Sequence, residues 1–198
     1  METVIQLNSG AKLSPHFTLG EMTKSNSHPE VYNIPSHEAI GNLKRLCTWL
    51  EVLRERYNAK YCLSSRLSEA HGLSSRLSAA HGEISRDPST TLGMTEGPAL
   101  GMTNEEPIRI NSGYRSPQLN KKIGGAPSSN HLTGCAADIR VYGMEQALRY
   151  ATILLDYADE SQQDFDELLI EKNRYGAVWV HFAVRPKDNR MKVDFIKV

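Results

Sequence analysis

Two histidines and one aspartate are the residues of this chain best suited to chemistry. His131 and Asp138 lie seven positions apart in the segment SNHLTGCAAD, which turns at Gly134. A second imidazole, His181, lies in an apolar run between aromatic residues, a pattern typical of a strand. Two imidazoles and one carboxylate form a three-ligand zinc centre, whose fourth position stays open for water. The sequence therefore predicts one Zn²⁺ ion at these three residues.

His181 also has a simpler interpretation, whereas Asp138 by itself already suggests a cation. Asp138 lies in the apolar run AADI, where a buried carboxylate needs a partner, and a cation is the obvious one. His181 taken alone is most simply a hydrogen-bonded core histidine. The joint pattern of His131, Asp138 and His181 favours the metal site.

A hydrolytic zinc centre also needs a general base and a group that stabilises negative charge. Glu171, Asp166 and Glu167 are the candidate bases, and Glu171 ends a predicted strand just before the turn that leads to His181. The alternative for Glu171 is an ordinary charged residue at a strand end. Arg115 lies between a predicted strand and a predicted helix, where it could bind a carboxylate or an oxyanion, or form a surface salt bridge.

Composition and charge limit the function classes. The 198 residues carry 23 basic and 23 acidic side chains, so no basic surface points to nucleic acid or an anionic membrane. No apolar run is long enough to span a bilayer, and residues 1–6 lack the features of a signal peptide. The three widely spaced cysteines predict reduced thiols, not a disulfide framework. We therefore expect a protein made in the cytoplasm, without membrane insertion or a nucleic-acid partner. A monomer is also expected, although the sequence does not set the oligomeric state.

A repeat interrupts the middle of the chain. Residues 63–72 recur at 73–82 with a single change, which suggests a recent duplication and is too few copies for a repeat fold. The surrounding stretch 59–104 is rich in Ser, Gly and Thr, and we predict a long inserted loop there. A metal-binding role for His71 and His81 is disfavoured, because they are copies of each other without supporting carboxylates.

The remaining chain shows an α+β pattern. Apolar spacing and capping residues predict helices, and period-two runs predict strands. Because strands and helices do not alternate strictly, we expect a small antiparallel sheet with flanking helices, ending in a meander. The predicted helices cover 37–57, 117–122 and 144–157, and the predicted strands cover 107–110, 136–141, 165–171, 178–184 and 192–196.

Several segments together resemble the zinc D-Ala-D-Ala carboxypeptidase/dipeptidase family, which shares its fold with the hedgehog signalling domain. The similarity is to its phage-endolysin-like peptidase branch. It covers roughly residues 14–58 and 105–185, and the repeat segment interrupts it. The residues that carry it lie at 16–22, 110–117, 123–126, 129–138 and 179–181.

The resemblance implies a single zinc peptidase domain over 1–198 with a hedgehog/DD-peptidase-like fold, and a peptidoglycan stem peptide, cut at or near D-alanine, as substrate. It implies zinc at the three ligands named above. Glu171 would be the base, and Arg115 would bind the terminal carboxylate or the carbonyl under attack. Ser129 and Tyr114 would complete the substrate site.

The sequence departs from the family in one respect. Several relatives place the catalytic carboxylate three residues before the last ligand, and here that position is Val178. The base would then come from Glu171, at the hedgehog-like position. The alternative is a catalytically weak or inactive zinc module that binds wall peptide or protein, and a third possibility is a decaying gene copy.

A wall substrate and the missing signal peptide need to be reconciled. A phage or prophage lysin that reaches the cell wall after release through a holin satisfies both. Recycling of wall peptides in the cytoplasm is the other solution.

Overall fold

The computed structural model describes residues 8–62 and 105–198. The chain divides into two units, one formed by Met1–Tyr57 and Pro107–Val198 and the other by Asn58–Glu106. The two repeat copies, with His71 and His81, lie outside the described residues, as do residues 1–6. The inserted loop at 59–104 and the single domain over 1–198 therefore stay predictions.

The described ends of the second unit meet each other. The Asn58 side chain accepts a hydrogen bond from the Glu106 amide at 2.7 Å and donates one to the Glu106 carbonyl at 3.1 Å. One amide side chain thus satisfies both backbone groups of a residue 48 positions away.

Two of the helices, at 37 and 117, begin where capping residues predict. Ser36 Oγ accepts a hydrogen bond from the Ala39 amide, and Ser116 Oγ accepts one from the Leu119 amide, with Pro117 in the first turn. The two long predicted helices are confirmed, and each continues four residues further than expected. The helices are α1 (Leu19–Thr23), α2 (His37–Tyr61), α3 (Pro117–Lys122) and α4 (Met144–Ser161), with a 3₁₀ turn at Asn130–Thr133. Within the described ranges, no helix is both long and apolar enough to cross a membrane.

Five strands form one sheet in the order β1-β2-β4-β3-β5. The strands are β1 (Ile110–Ser112), β2 (Ala136–Arg140), β3 (Glu167–Lys172), β4 (Val178–Ala183) and β5 (Lys192–Lys197). The first four in this order pair antiparallel. The first strand begins at Ile110 and not at Pro107, because its pairing with β2 starts at Ile110 opposite Ile139.

The predicted meander and wholly antiparallel sheet are wrong for β5, which runs parallel to β3. A meander would require β5 to pair with β4, but β4 already pairs with β2 on one side and β3 on the other, and β5 pairs instead with the outer edge of β3. At the end of β4, Ala183 lies opposite Glu167 at the start of β3. A short loop past β3 therefore sends β5 in the same direction as β3.

The sheet separates the core from the site by side-chain alternation. Phe182 faces the helices, where the Trp49 ring of α2 lies 5.3 Å from it and 4.8 Å from the Tyr157 ring of α4. His181, its neighbour, points to the other face together with Asp138. One face of β4 thus anchors the core while the other carries the candidate site.

Candidate metal centre

The structure brings the three predicted ligands together below the protein surface. Asp138 of β2 lies directly opposite His181 of β4. Asp138 Oδ1 is 2.9 Å from His181 Nδ1 and 3.2 Å from His131 Nε2. One potential ligand atom from each residue lies within 4.8 Å of the other two, and all three residues are buried. This donor set and spacing fit a single zinc ion.

The 3₁₀ turn presents His131 to the site. Ser129 Oγ accepts a hydrogen bond from the His131 amide at 3.3 Å, and Gly134, with φ of 71°, ends the turn in the left-handed region. The His131 Nδ1 lies 2.6 Å from the Gly113 carbonyl, which can only accept a hydrogen bond. The proton is therefore assigned to Nδ1, so the Nε2 lone pair is free to bind a metal.

Two glycines permit the close backbone contacts behind this arrangement. A Cβ on Gly113 would lie 2.3 Å from the Met22 carbonyl oxygen, and one on Gly134 would lie 2.6 Å from the Ala39 carbonyl oxygen. Real Cβ atoms do not approach oxygen so closely. Gly113 was not predicted as a partner of His131, and the only available signal was the presence of a glycine within the 110–117 segment.

Arg115 is bound into the same cluster. Its Nε donates to Ser112 Oγ at 2.7 Å, and its Nη2 forms an ion pair with Asp138. Its backbone amide donates to the His131 carbonyl at 3.0 Å. Ser112 and Asp138 therefore hold the guanidinium in one orientation beside a predicted ligand.

Asn33, which was not among the predicted site residues, holds the Arg115 segment in place. Its Nδ2 donates to the carbonyls of Tyr114 at 2.8 Å and Thr23 at 2.7 Å, and its Oδ1 accepts from the Ser116 amide at 2.6 Å. A single asparagine in a polar loop gives no periodic or motif signal, so only the fold reveals this role.

The charges in the cluster keep Asp138 ionised, as a metal ligand must be. Burial raises the pKa of Asp138, but His131 and His181 lower it far more, and it lies well below the usual range. Burial lowers the pKa of His181, but contacts with Asp138 and Glu167 raise it to about 9. Asp138 is therefore ionised and compensated by positive charge. A metal would replace the proton of His181, so metal affinity should fall as the pH falls.

Glu171 lies on the site face of β3, opposite Trp179 and two residues along from the position opposite His181. The pKa of Glu171 is raised, mainly by burial. The nearby Asp138 adds to this rise, and His181 opposes it. The hairpin turn closes with the Asn173 amide donating to the Ala177 carbonyl at 3.0 Å, and the register of β3 with β4 is unbroken. The turn therefore leaves Glu171 on the same face as the predicted ligands.

The other two candidate bases are held by different partners. Asp166 is 0% exposed and accepts a hydrogen bond from Arg190 Nε at 2.8 Å. Glu167 accepts one from Asn130 Nδ2 at 2.9 Å and pairs with Arg190. Contact with His181 lowers the pKa of Glu167 to about 2. Both carboxylates are thus poor proton acceptors near neutral pH.

The three predicted substrate contacts have different surroundings. Arg115 lines a cavity of about 380 Å³ with Lys24, Asn26 and other polar residues. Ser129 lines a separate cavity of about 390 Å³. Tyr114 is only 7% exposed, and burial raises its pKa. Of the three, Arg115 is the one that lines a cavity and also pairs with the side chain of a predicted ligand, Asp138.

A family model described as Peptidase M15 matches residues 69–157, which is less than half of the chain. The matched range includes Arg115, His131 and Asp138 and ends before Glu171 and His181. No curated protein matches the chain. The match supports the M15 family of zinc-dependent peptidases in general.

Proposed function

We propose that this chain is a zinc-dependent peptidase that hydrolyses peptidoglycan stem peptides at or near D-alanine, with a hedgehog/DD-peptidase-like fold. The observation that carries the proposal is the buried cluster of His131, Asp138 and His181. The Peptidase M15 match supports a peptidase. The stem-peptide substrate comes from the resemblance to the zinc D-Ala-D-Ala carboxypeptidase/dipeptidase family, and the residues around the cluster are compatible with it.

In this proposal His131 Nε2, Asp138 and His181 Nδ1 hold the zinc ion. Bound there, zinc supplies Lewis acidity, which activates water and polarises a peptide carbonyl. Gly113 fixes the tautomer of His131 through its carbonyl, so the ligand nitrogen is set before any metal arrives.

Glu171 is the proposed general base. A carboxylate whose pKa is raised by burial is a better proton acceptor than an ordinary exposed one. Glu171 accepts the proton of the attacking water and delivers it to the amine nitrogen as the C–N bond breaks. Asp166 and Glu167 are less suited, because arginine and asparagine donors already occupy their oxygens.

The cavity beside Arg115 is the proposed substrate site. Lys24 and Arg115 give it two cations, while Leu119 and Ile123 supply apolar surface. A volume of about 380 Å³ suits a short peptide segment with small side chains. A stem peptide ending in D-alanine offers a free carboxylate for the cations and a methyl group for the apolar surface. Ser129 and Tyr114 act in this proposal by supporting the neighbouring backbone.

A zinc-containing binding module without hydrolysis is the second candidate. Val178 occupies the position where several relatives carry the catalytic carboxylate, which favours it. In that case the Arg115 cavity would hold wall peptide without cutting it.

The two candidates differ in turnover, not in metal binding. Purified wall muropeptides would be incubated with wild type, Glu171→Gln and, as a control, Glu145→Gln, and the products identified by mass spectrometry. Glu145 is an exposed carboxylate paired with Arg149 on α4. Wild type and the control should release fragments that disappear with a chelator and return with zinc. Glu171→Gln should keep its zinc and lose about 10²–10⁴-fold in rate.

Other outcomes would contradict specific parts of the proposal. A folded wild type that holds zinc but releases no fragment overturns the peptidase and leaves the binding module. A Glu171→Gln variant as active as wild type shows that the base lies elsewhere.

A further inference from the structure

The His181 ring has a second contact on the edge away from Asp138. Its Nδ1 lies 2.9 Å from Asp138 Oδ1, while its Nε2 lies 3.5 Å from Glu167 Oε2. The two nitrogens leave an imidazole ring in diverging directions, so Glu167 does not share the position between the predicted ligands. A neutral imidazole carries one proton, and the nitrogen without it is the metal ligand.

Glu167 is itself held at both carboxylate oxygens. Asn130 Nδ2 donates to Oε2 at 2.9 Å, and Arg190 Nη2 lies 2.9 Å from Oε1. The Glu167 side chain is only 16% exposed. Two fixed partners in a partly buried setting restrict its rotation, so Oε2 stays beside the His181 ring.

Asp166 extends these contacts into a network. It accepts hydrogen bonds from the same Asn130 Nδ2 at 2.7 Å and from Arg190 Nη2 at 2.6 Å. Asn130 directly precedes His131, so the network touches both histidines, one through the chain and one through Glu167. A buried, well-connected set of polar groups of this kind rigidifies what it contacts.

We propose that Glu167 is a positioning residue for the metal centre, which accepts the Nε2 proton of His181 in a hydrogen bond and so directs Nδ1 toward the metal. The inference rests on the proposed function, because it requires His181 to be a ligand. The 3.5 Å contact should shorten when Nδ1 binds a metal. Outer carboxylates of this kind change metal affinity by about 10–100-fold when removed.

The first test is the zinc dissociation constant, measured by competition with a chromophoric chelator. Glu167→Ala should bind zinc about 10–100-fold more weakly than wild type. Glu167→Gln retains an acceptor oxygen and should recover most of the affinity. Glu145→Ala removes an arginine-paired carboxylate that does not contact His181, and should bind zinc like wild type.

The Co²⁺-substituted proteins give a readout that a purely structural role would not move. The visible absorption bands of Co²⁺ report the geometry of its ligands, so Glu167→Ala should shift them and Glu145→Ala should not. A Glu167→Ala variant that is less stable without metal, yet binds zinc and absorbs as wild type does, overturns the inference.

Long-range ¹H–¹⁵N spectra of zinc-loaded wild type test the inference without any variant, so they do not depend on whether a variant folds. They should show His181 protonated at Nε2 and bound through Nδ1, and the reverse assignment overturns the inference. Zinc binding by wild type, with the expected loss in Glu167→Ala but no hydrolysis, supports the positioning role and overturns the peptidase alone. A wild type that binds no zinc overturns both.

Discussion

Replacing Gly134 by alanine tests whether the turn that carries His131 is tightly packed against helix α2. Gly134 has φ of 71°, a region that costs a residue with a Cβ about 1–2 kcal/mol. The new Cβ would also lie 2.6 Å from the Ala39 carbonyl oxygen and 3.2 Å from Leu43 Cγ. A carbonyl within a helix cannot rotate away, so the turn or the helix must shift. Overpacking of this kind costs about 1–3 kcal/mol.

Gly124 is the matched control for this substitution. Its φ of 72° is nearly the same, but a Cβ there meets nothing within 4 Å. Gly124→Ala should therefore carry only the backbone cost, about 1–2 kcal/mol. Gly134→Ala carries both costs and should lose about 2–5 kcal/mol. The difference between the two variants isolates the contact with Ala39.

Urea-induced unfolding of the metal-free proteins measures both values, and a chelator competition then gives the zinc affinity of each. We expect Gly134→Ala to bind zinc more weakly, because the shift moves His131, while Gly124→Ala should bind like wild type. Equal destabilisation of the two variants would refute the reasoning, since it would mean that Gly134 has as much free space as Gly124.

Two further predictions concern the charges around the site. Arg115→Lys keeps a cation, but a lysine cannot contact Ser112 and Asp138 together. The variant should therefore have a kcat/KM lower by about 10²–10³-fold, with its zinc content unchanged. A loss of zinc instead would assign Arg115 a structural role. Burial raises the pKa of Asp166, but Arg190 and Asn130 lower it further, so its folded-state pKa is below the unfolded value of about 3.8. Its stabilisation is therefore present above pH 4 or so and is lost as the pH falls through the folded pKa. Asp166→Asn should have a much smaller free energy of unfolding than wild type at pH 7, and urea titrations should show this difference narrowing below about pH 4. A difference that stays constant with pH would contradict this.

The sequence predicted the elements whose signals are local. The Ser116-Pro117 pair marks the start of α3, and the apolar spacing of 37–57 gives α2, because capping and helical periodicity act within a few residues. The first strand was placed three residues too early. Its position depends on pairing with β2 at Ile139, which the strand's own residues do not encode.

The site residues also fall into those that the sequence could identify and those that only the fold reveals. His131, Asp138 and His181 could be named from their types and spacing, because few residue types bind zinc. Gly113 and Asn33 could not, since they act through a carbonyl and an amide that resemble any other until the chain folds. Glu167 was one of three candidate bases in the sequence, and its contact with His181 distinguishes it.

The sequence alone determined the ligand types, the turn at Gly134 and the alternation that puts His181 and Phe182 on opposite faces of one strand. The tertiary structure decided that β5 runs parallel to β3, which nitrogen of each histidine faces Asp138, and which carboxylates are already occupied. These outcomes depend on partners far apart in the chain, such as Asn33 and Tyr114, which are 81 positions apart. Hydrogen bonds and strand pairing at that separation form only when the whole core packs, so no local pattern can specify them.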